Sequence, residues 1–110
     1  MWLVRDDGTV LATAEVPARR RDRARGLIGR DGYEGALVLR PCRQVHTLRM
    51  RFPIDVAFVD ADGAVIRTAT LPPWRLSPVV WRAAMVVEAE AGAFERWGLR
   101  VGDRVELKAP

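Results

Sequence analysis

The sequence holds one cysteine, one histidine, one tyrosine and one lysine in 110 residues. With Cys42 alone, no internal disulfide can form and a closed four-cysteine zinc site is excluded within one chain, so stability must come from packing. Long apolar runs are missing too. Stretches such as Gly35 to Leu39 fall far short of the roughly 18–20 residues that span a bilayer, so no transmembrane helix is expected. The start, Met1-Trp2-Leu3-Val4-Arg5-Asp6-Asp7, lacks the basic opening, apolar middle and small-residue cleavage site of a secretory signal, which predicts a cytoplasmic chain. A phosphate-cradling glycine loop, a metalloprotease helix and the His-x-Glu pattern of zinc deaminases are all absent. So are internal repeats, low-complexity linkers and long helical crossovers.

What is present is enough for one core. A chain of 110 residues divided in two would give cores too small to offset the entropy of ordering them, so residues 1–110 are read as a single domain. Hydrophobic residues make up 49% and charged ones 29%, which fills an interior and still solvates a surface. The net charge is +4, and Lys108 is the single cation that is not arginine. Arginine favours phosphate and carboxylate partners through paired hydrogen bonds, although a genome rich in Arg and Ala codons yields the same composition.

Turn signals divide the chain into short elements. Trp2 to Arg5 and Thr9 to Val16 flank Asp6-Asp7-Gly8 as a β-hairpin. After Pro17, Ala24, Leu27 and Ile28 recur at helical spacing, predicting a short helix from Ala18 to Ile28 that Gly29 ends. Gly35 to Leu39 and Gln44 to Met50 read as strands interrupted at Pro41. Ile54 to Val59, the turn Asp60-Ala61-Asp62-Gly63 and Val65 to Thr70 form the clearest hairpin, apolar on both faces and therefore deeply buried. The prolines of Leu71 to Pro78 make that segment a loop. Ala84 to Ala89 is a strand, Gly92 to Trp97 one or two helical turns, and Val101 to Leu107 a turn and final strand. About seven short strands with two short helices predict a mostly β, β-rich α+β fold, a compact sandwich or barrel.

Four pieces occur in a characteristic order: Arg23-Ala24-Arg25-Gly26-Leu27-Ile28-Gly29-Arg30, then His46 to Asp60, then Val87-Glu88-Ala89-Glu90-Ala91-Gly92, then Gly98-Leu99-Arg100-Val101-Gly102-Asp103. Together they resemble the family called domain of unknown function 192, from about Val10 to Leu107. The His46-Thr47 pair followed by Arg51-Phe52-Pro53 looks like a His-Thr branch of it. The resemblance implies a compact β-rich fold, found in exported and intracellular members, with no settled biochemical activity.

Several side chains carry chemistry. Arg25 beside a helix end can reach Asp55 in the central hairpin, and a structural salt bridge is the first reading, with anion binding by Arg25 the second. Glu88 is read in the same way, and Gly102-Asp103 as a turn. Cys42, His46 and Met50 offer thiolate, imidazole and thioether, the soft set that favours copper. Four residues of strand cover roughly 13 Å, however, so the three could share one ion only across a bend. The same distance opposes Cys42 as a nucleophile with His46 as its base. His46 is otherwise a pocket wall, and Cys42 and Met50 core packing.

Arg19, Arg20, Arg21, Arg23 and Arg25 form a basic run that could touch nucleic-acid or lipid phosphates, or could be a solvated face. Aromatic residues are not interleaved with it, as stacking readers of single strands require. Trp74 and Trp81 bracket Pro78 and could line a groove or cover the core. With His46, Thr47, Arg49, Met50 and Arg51 they define the expected site, a shallow pocket for a small polar or anionic ligand or a partner protein. A binding or accessory module is thus the leading expectation, with no cofactor and copper as the single metal candidate. A hydrolase-like or metal-dependent enzyme using His46 with Asp55 or Glu88, and an arginine-helix nucleic-acid binder, are its rivals.

Overall fold

The computed structural model describes all residues from Met1 to Pro110. Strands β1 (Trp2–Arg5) and β2 (Val10–Glu15) pair antiparallel around the Asp6-Asp7-Gly8 turn, where the Asp7 carboxylate accepts the Thr9 amide at 2.9 Å. Helix α1 (Arg20–Arg25) leads to β3 (Ala36–Leu39), which lies parallel to β2. β4 (Ile54–Val59) and β5 (Val65–Leu71) form the central hairpin. The Asp60 carboxylate closes its turn by accepting the amides of Asp62 and Ala64. β6 (Met85–Glu90), α2 (Ala93–Trp97) and β7 (Val105–Lys108) complete a seven-stranded sheet of order β5-β4-β6-β3-β2-β1-β7. The fold is mostly β with two short helices, as expected.

The sheet is rolled without closing into a barrel. β5 and β7 stand at opposite ends of its order, yet Val65 donates to Asp103, Gly102 donates to Val65 and Val105 donates to Gly63, at 2.8–2.9 Å. Glycine is required at that corner, because a Cβ on Gly63 would lie 2.6 Å from the Val105 carbonyl oxygen and φ is +85°.

Rolling gives the central strands two buried faces, which explains the two-sided apolar character of β4. Ala57, Val59, Val38, Val87 and Ala89 point into the roll, where Leu3, Val65, Val105 and Phe94 of α2 meet them. Ile54, Val56, Phe58, Leu37, Leu39 and Val86 point outward and are covered by Leu27, Val45, Met50 and Phe52. Each fully buried aliphatic or aromatic side chain contributes about 1.5–3 kcal/mol.

Two expected elements differ. α1 stops at Arg25 because Gly26 takes φ 51°, ψ −124°, outside any helical region, so Leu27 and Ile28 leave the helix and turn onto the outer layer. Gln44 to Met50 is not a strand. Its one ladder contact is a bridge between His46 and Leu76, after which Thr47 to Met50 form a turn with Arg49 at φ 65°. Backbone bonds still hold the segment, from the Thr47 amide to the Arg75 carbonyl, the Trp74 amide to the Thr47 carbonyl and the Ser77 amide to the Val45 carbonyl at 2.8–2.9 Å, and side chains add to them. The buried Thr47 hydroxyl accepts the Arg75 amide at 2.8 Å and donates to the Pro72 carbonyl at 2.6 Å. Ser77 Oγ accepts the Val45 amide at 3.0 Å. These hydroxyls reinforce the backbone bonds that tie the two irregular segments together.

Candidate functional site

On the outer face, α1, the Gly26-Leu27-Ile28 turn and the segment after β3 surround a cavity of about 630 Å³. Its walls are Leu27, Leu39, Val45 and Met50 together with Cys42, Gln44 and His46. Arg20, Arg23 and Arg25 line it from the helix, and Glu88 lines it from the sheet. That volume lies within the range of ordinary small-molecule sites.

Glu88 is the unusual member. It sits mid-strand in β6, in register with Val56 of β4 on one side and Leu37 of β3 on the other. It is 3% exposed, and no arginine, lysine or histidine nitrogen comes within 4.0 Å of its carboxylate. Burial alone pushes its carboxyl up to about 7. Gly26 is the close neighbour from above, where a Cβ would lie 3.5 Å from Oε1. The expected structural ion pair for Glu88 is therefore corrected: the positions beside it in the sheet are aliphatic, and the arginines of α1 do not descend to it.

The Arg25–Asp55 salt bridge is corrected as well. Asp55 neighbours Val56 in β4 and so faces the other way, into the roll. There it accepts the Thr70 hydroxyl at 2.7 Å and the amides of Gly92 and Phe94 at 3.0 and 3.1 Å, capping the start of α2. Arg25 is exposed on the opposite side of the sheet. A pairing of His46 with Asp55 meets the same obstacle.

Cys42, His46 and Met50 do line one cavity, because the strand that would have spread them is absent. A metal bound there would have to displace the hydrogen bonds that Cys42 and His46 already make. Burial raises the Cys42 thiol, a backbone hydrogen bond with Gln44 partly opposes it and the Glu88 charge adds a smaller push, while its S–H donates to the Gln44 carbonyl at 3.2 Å. His46 Nδ1 accepts the Leu48 amide at 3.2 Å, so the neutral ring carries its proton on Nε2, the nitrogen that would otherwise be free to ligate.

The remaining expected site residues lie elsewhere. Thr47 is a buried strut. Arg49 is exposed in its turn, and Arg51 pairs with Asp31 at 2.8 Å on the surface. Trp74, with φ 65°, is 61% exposed and Trp81 76% exposed, and neither lines the cavity. Of the predicted pocket, His46 and Met50 remain. The helix arginines, Gln44 and Glu88 join them. The sequence signal for Glu88 was a lone acid among Val86, Val87 and Ala89 within a buried strand.

Fold and cavity define a class: a small rolled β-sheet domain with a ligand-sized cavity on its outer face. The chain belongs to the DUF192 family, an uncharacterized ACR, whose sequence profile matches residues 2–107. UPF0127 proteins of Pyrococcus furiosus and Pyrococcus abyssi are 39% and 36% identical over 62 residues, 56% of this chain. The match spans about half the length of those relatives, 53% of each. A protein of unknown function from Novosphingobium aromaticivorans shares the fold at TM-score 0.81 and 23% identity, over 96% of this chain and 82% of its own. So does a candidate transcription regulator from Sinorhizobium meliloti, at TM-score 0.77 and 22% identity, over 96% and 89%. No helix is long and apolar enough to cross a membrane.

Proposed function

We propose that this protein is a binding module for a small polar molecule held in the cavity between α1 and β6. The observation that carries the reading is an unpaired carboxyl, Glu88, facing a cavity lined from above by arginines. Buried carboxyls without a partner are costly, and a ligand is the partner this one lacks. His46 Nε2–H and the Gln44 amide are further groups able to orient a guest. The reading takes no cofactor and places the chain in the cytoplasm, where Cys42 stays a thiol.

Ligand-induced stabilisation tests it. A metabolite panel screened by thermal shift should contain compounds that raise Tm, and Leu27→Trp, which fills the cavity from its wall, should abolish those shifts while the variant keeps a cooperative melt. Shifts that survive Leu27→Trp would move the site elsewhere.

The arginine run from Arg19 to Arg25, exposed apart from a half-buried Arg23, supports a second reading, nucleic-acid binding, and one structural relative is described as a candidate transcription regulator. Affinity for duplex DNA that falls steeply with salt and is lost with Arg19, Arg20 and Arg21 changed to Ala would favour it.

A further inference from the structure

Resting on that reading, we infer that the cavity takes an amphoteric ligand: a cationic nitrogen that hydrogen-bonds Glu88, an aliphatic body, and an anionic group held by the arginines of α1. The charged groups that line the cavity are of both signs and make no ion pair with one another. Glu88 has Leu37 and Val56 beside it and no cation within ion-pair distance. Arg20 and Arg25 line the same cavity and make no ion pair either, while Arg23 spends one N–H on the Ala18 carbonyl. The Gly26 backbone packs against Glu88 from the α1 side, where a Cβ would lie 3.5 Å from Oε1.

Beside the charged groups and the polar Gln44 and His46, much of the lining is apolar. Leu27, Leu39 and Met50 can cover methylene groups and have nothing to offer a sugar or a polyphosphate. A purely anionic guest would leave the Glu88 carboxylate opposing it, and a purely cationic one would meet the arginines. An ammonium–carboxylate or ammonium–phosphate molecule satisfies both ends, each through a charge-assisted hydrogen bond.

The groups that act on Glu88 are few. Cys42 and His46 face the cavity from the segment after β3, Arg20, Arg23 and Arg25 from α1, and Glu90 shares its face of β6, while β3 and β4 present Leu37 and Val56. A bound ammonium holds Glu88 ionised, so ammonium affinity rises as pH increases through 7, where the free carboxyl gives up its proton.

Isothermal titration with 4-aminobutanoate, 6-aminohexanoate and 8-aminooctanoate, each against its carboxylate lacking the amine, its amine lacking the carboxylate and its aminoalkyl phosphate, tests the inference. One chain length should bind about tenfold tighter than either singly charged partner, the worth of one charge-assisted bond. Glu88→Gln should reduce that compound to the affinity of the plain carboxylate, and Arg20→Ala with Arg25→Ala to that of the plain amine. The phosphate series tells which anion the arginines prefer. Carboxylates that bind without an amine advantage, unaffected by Glu88→Gln, overturn the inference and leave the ligand-binding module standing. If no amphoteric probe binds while unrelated panel compounds do so in a manner blocked by Leu27→Trp, the inference again falls alone. If nothing binds in a way Leu27→Trp blocks, both fall.

Discussion

Glu88 stands directly opposite Val56 across the β4–β6 ladder, so this buried carboxyl on the outer face has an aliphatic neighbour where an ion pair would need an arginine. The cost of that placement depends on pH. The Glu88 carboxyl is raised from an ordinary 4.5 to about 7, so the folded chain holds a proton that the unfolded chain releases. Below about pH 4.5 both states are protonated and no penalty exists. Between 4.5 and 7 stability falls as pH rises, and above 7 the full penalty, on the order of 3 kcal/mol, remains. Glu88→Gln should therefore stabilise the protein in urea unfolding at pH 8 and change it little at pH 4. A variant equally or less stable than the parent at pH 8 would mean that Glu88 already has a partner.

Thr47 contributes to stability through the loops it joins. Its hydroxyl both accepts from Arg75 and donates to Pro72, and it is fully buried. Thr47→Val keeps the shape and strands the Arg75 amide, so a loss of about 1–3 kcal/mol is expected. Hydrogen exchange should show the damage confined to residues 44–50 and 72–77. Loss of ligand binding with unchanged stability would instead make Thr47 a contact residue.

The sequence exposed some of this and hid the rest for identifiable reasons. Both hairpins were legible because Asp-Gly turns and runs of β-branched residues are local signals. The end of the roll was hidden, because the pairing of Gly63 with Val105 joins positions whose closeness depends on how the whole sheet curls. Gln44 to Met50 read as strand by composition, yet it makes only a short backbone pairing with Trp74 to Ser77, to which the Thr47 and Ser77 hydroxyls add, and no periodicity encodes that. The same irregularity brought Cys42, His46 and Met50 to one cavity despite spacing that separates them along a strand. Asp55 and Glu88 were both read as salt-bridge acids. Which face each takes follows from the β4–β6 register, a long-range quantity that puts one over α2 and the other under α1.

Asp55 and Arg25 offer a direct check on that register. Asp55→Ala removes the acceptor of the Gly92 and Phe94 amides and should cost about 2–4 kcal/mol, since bonds to a charged group are worth more than neutral ones. Arg25→Ala should cost under about 0.5 kcal/mol, as an exposed substitution does. A double-mutant cycle should give additive changes. Coupling above about 0.5 kcal/mol would restore the ion pair that the sheet faces argue against.

Cys42 reports on the cavity from within. Burial and the nearby Glu88 charge both keep its thiol protonated, and its S–H is engaged with the Gln44 carbonyl. Since the thiolate is the reactive species, a thiol reagent such as DTNB at pH 7.5 should label the folded protein far more slowly than the urea-unfolded chain. Glu88→Gln removes one of the two influences that raise the thiol, so labelling should quicken, and its pH profile should shift towards lower pH by an amount set by the lost charge alone. If labelling is fast in the parent and indifferent to Glu88, then the thiol is open to solvent and Cys42 and Glu88 do not share a cavity. If it is slow and quickens with Glu88→Gln, the two groups report the same low-dielectric space, and protection of Cys42 becomes a label-based measure of what occupies it.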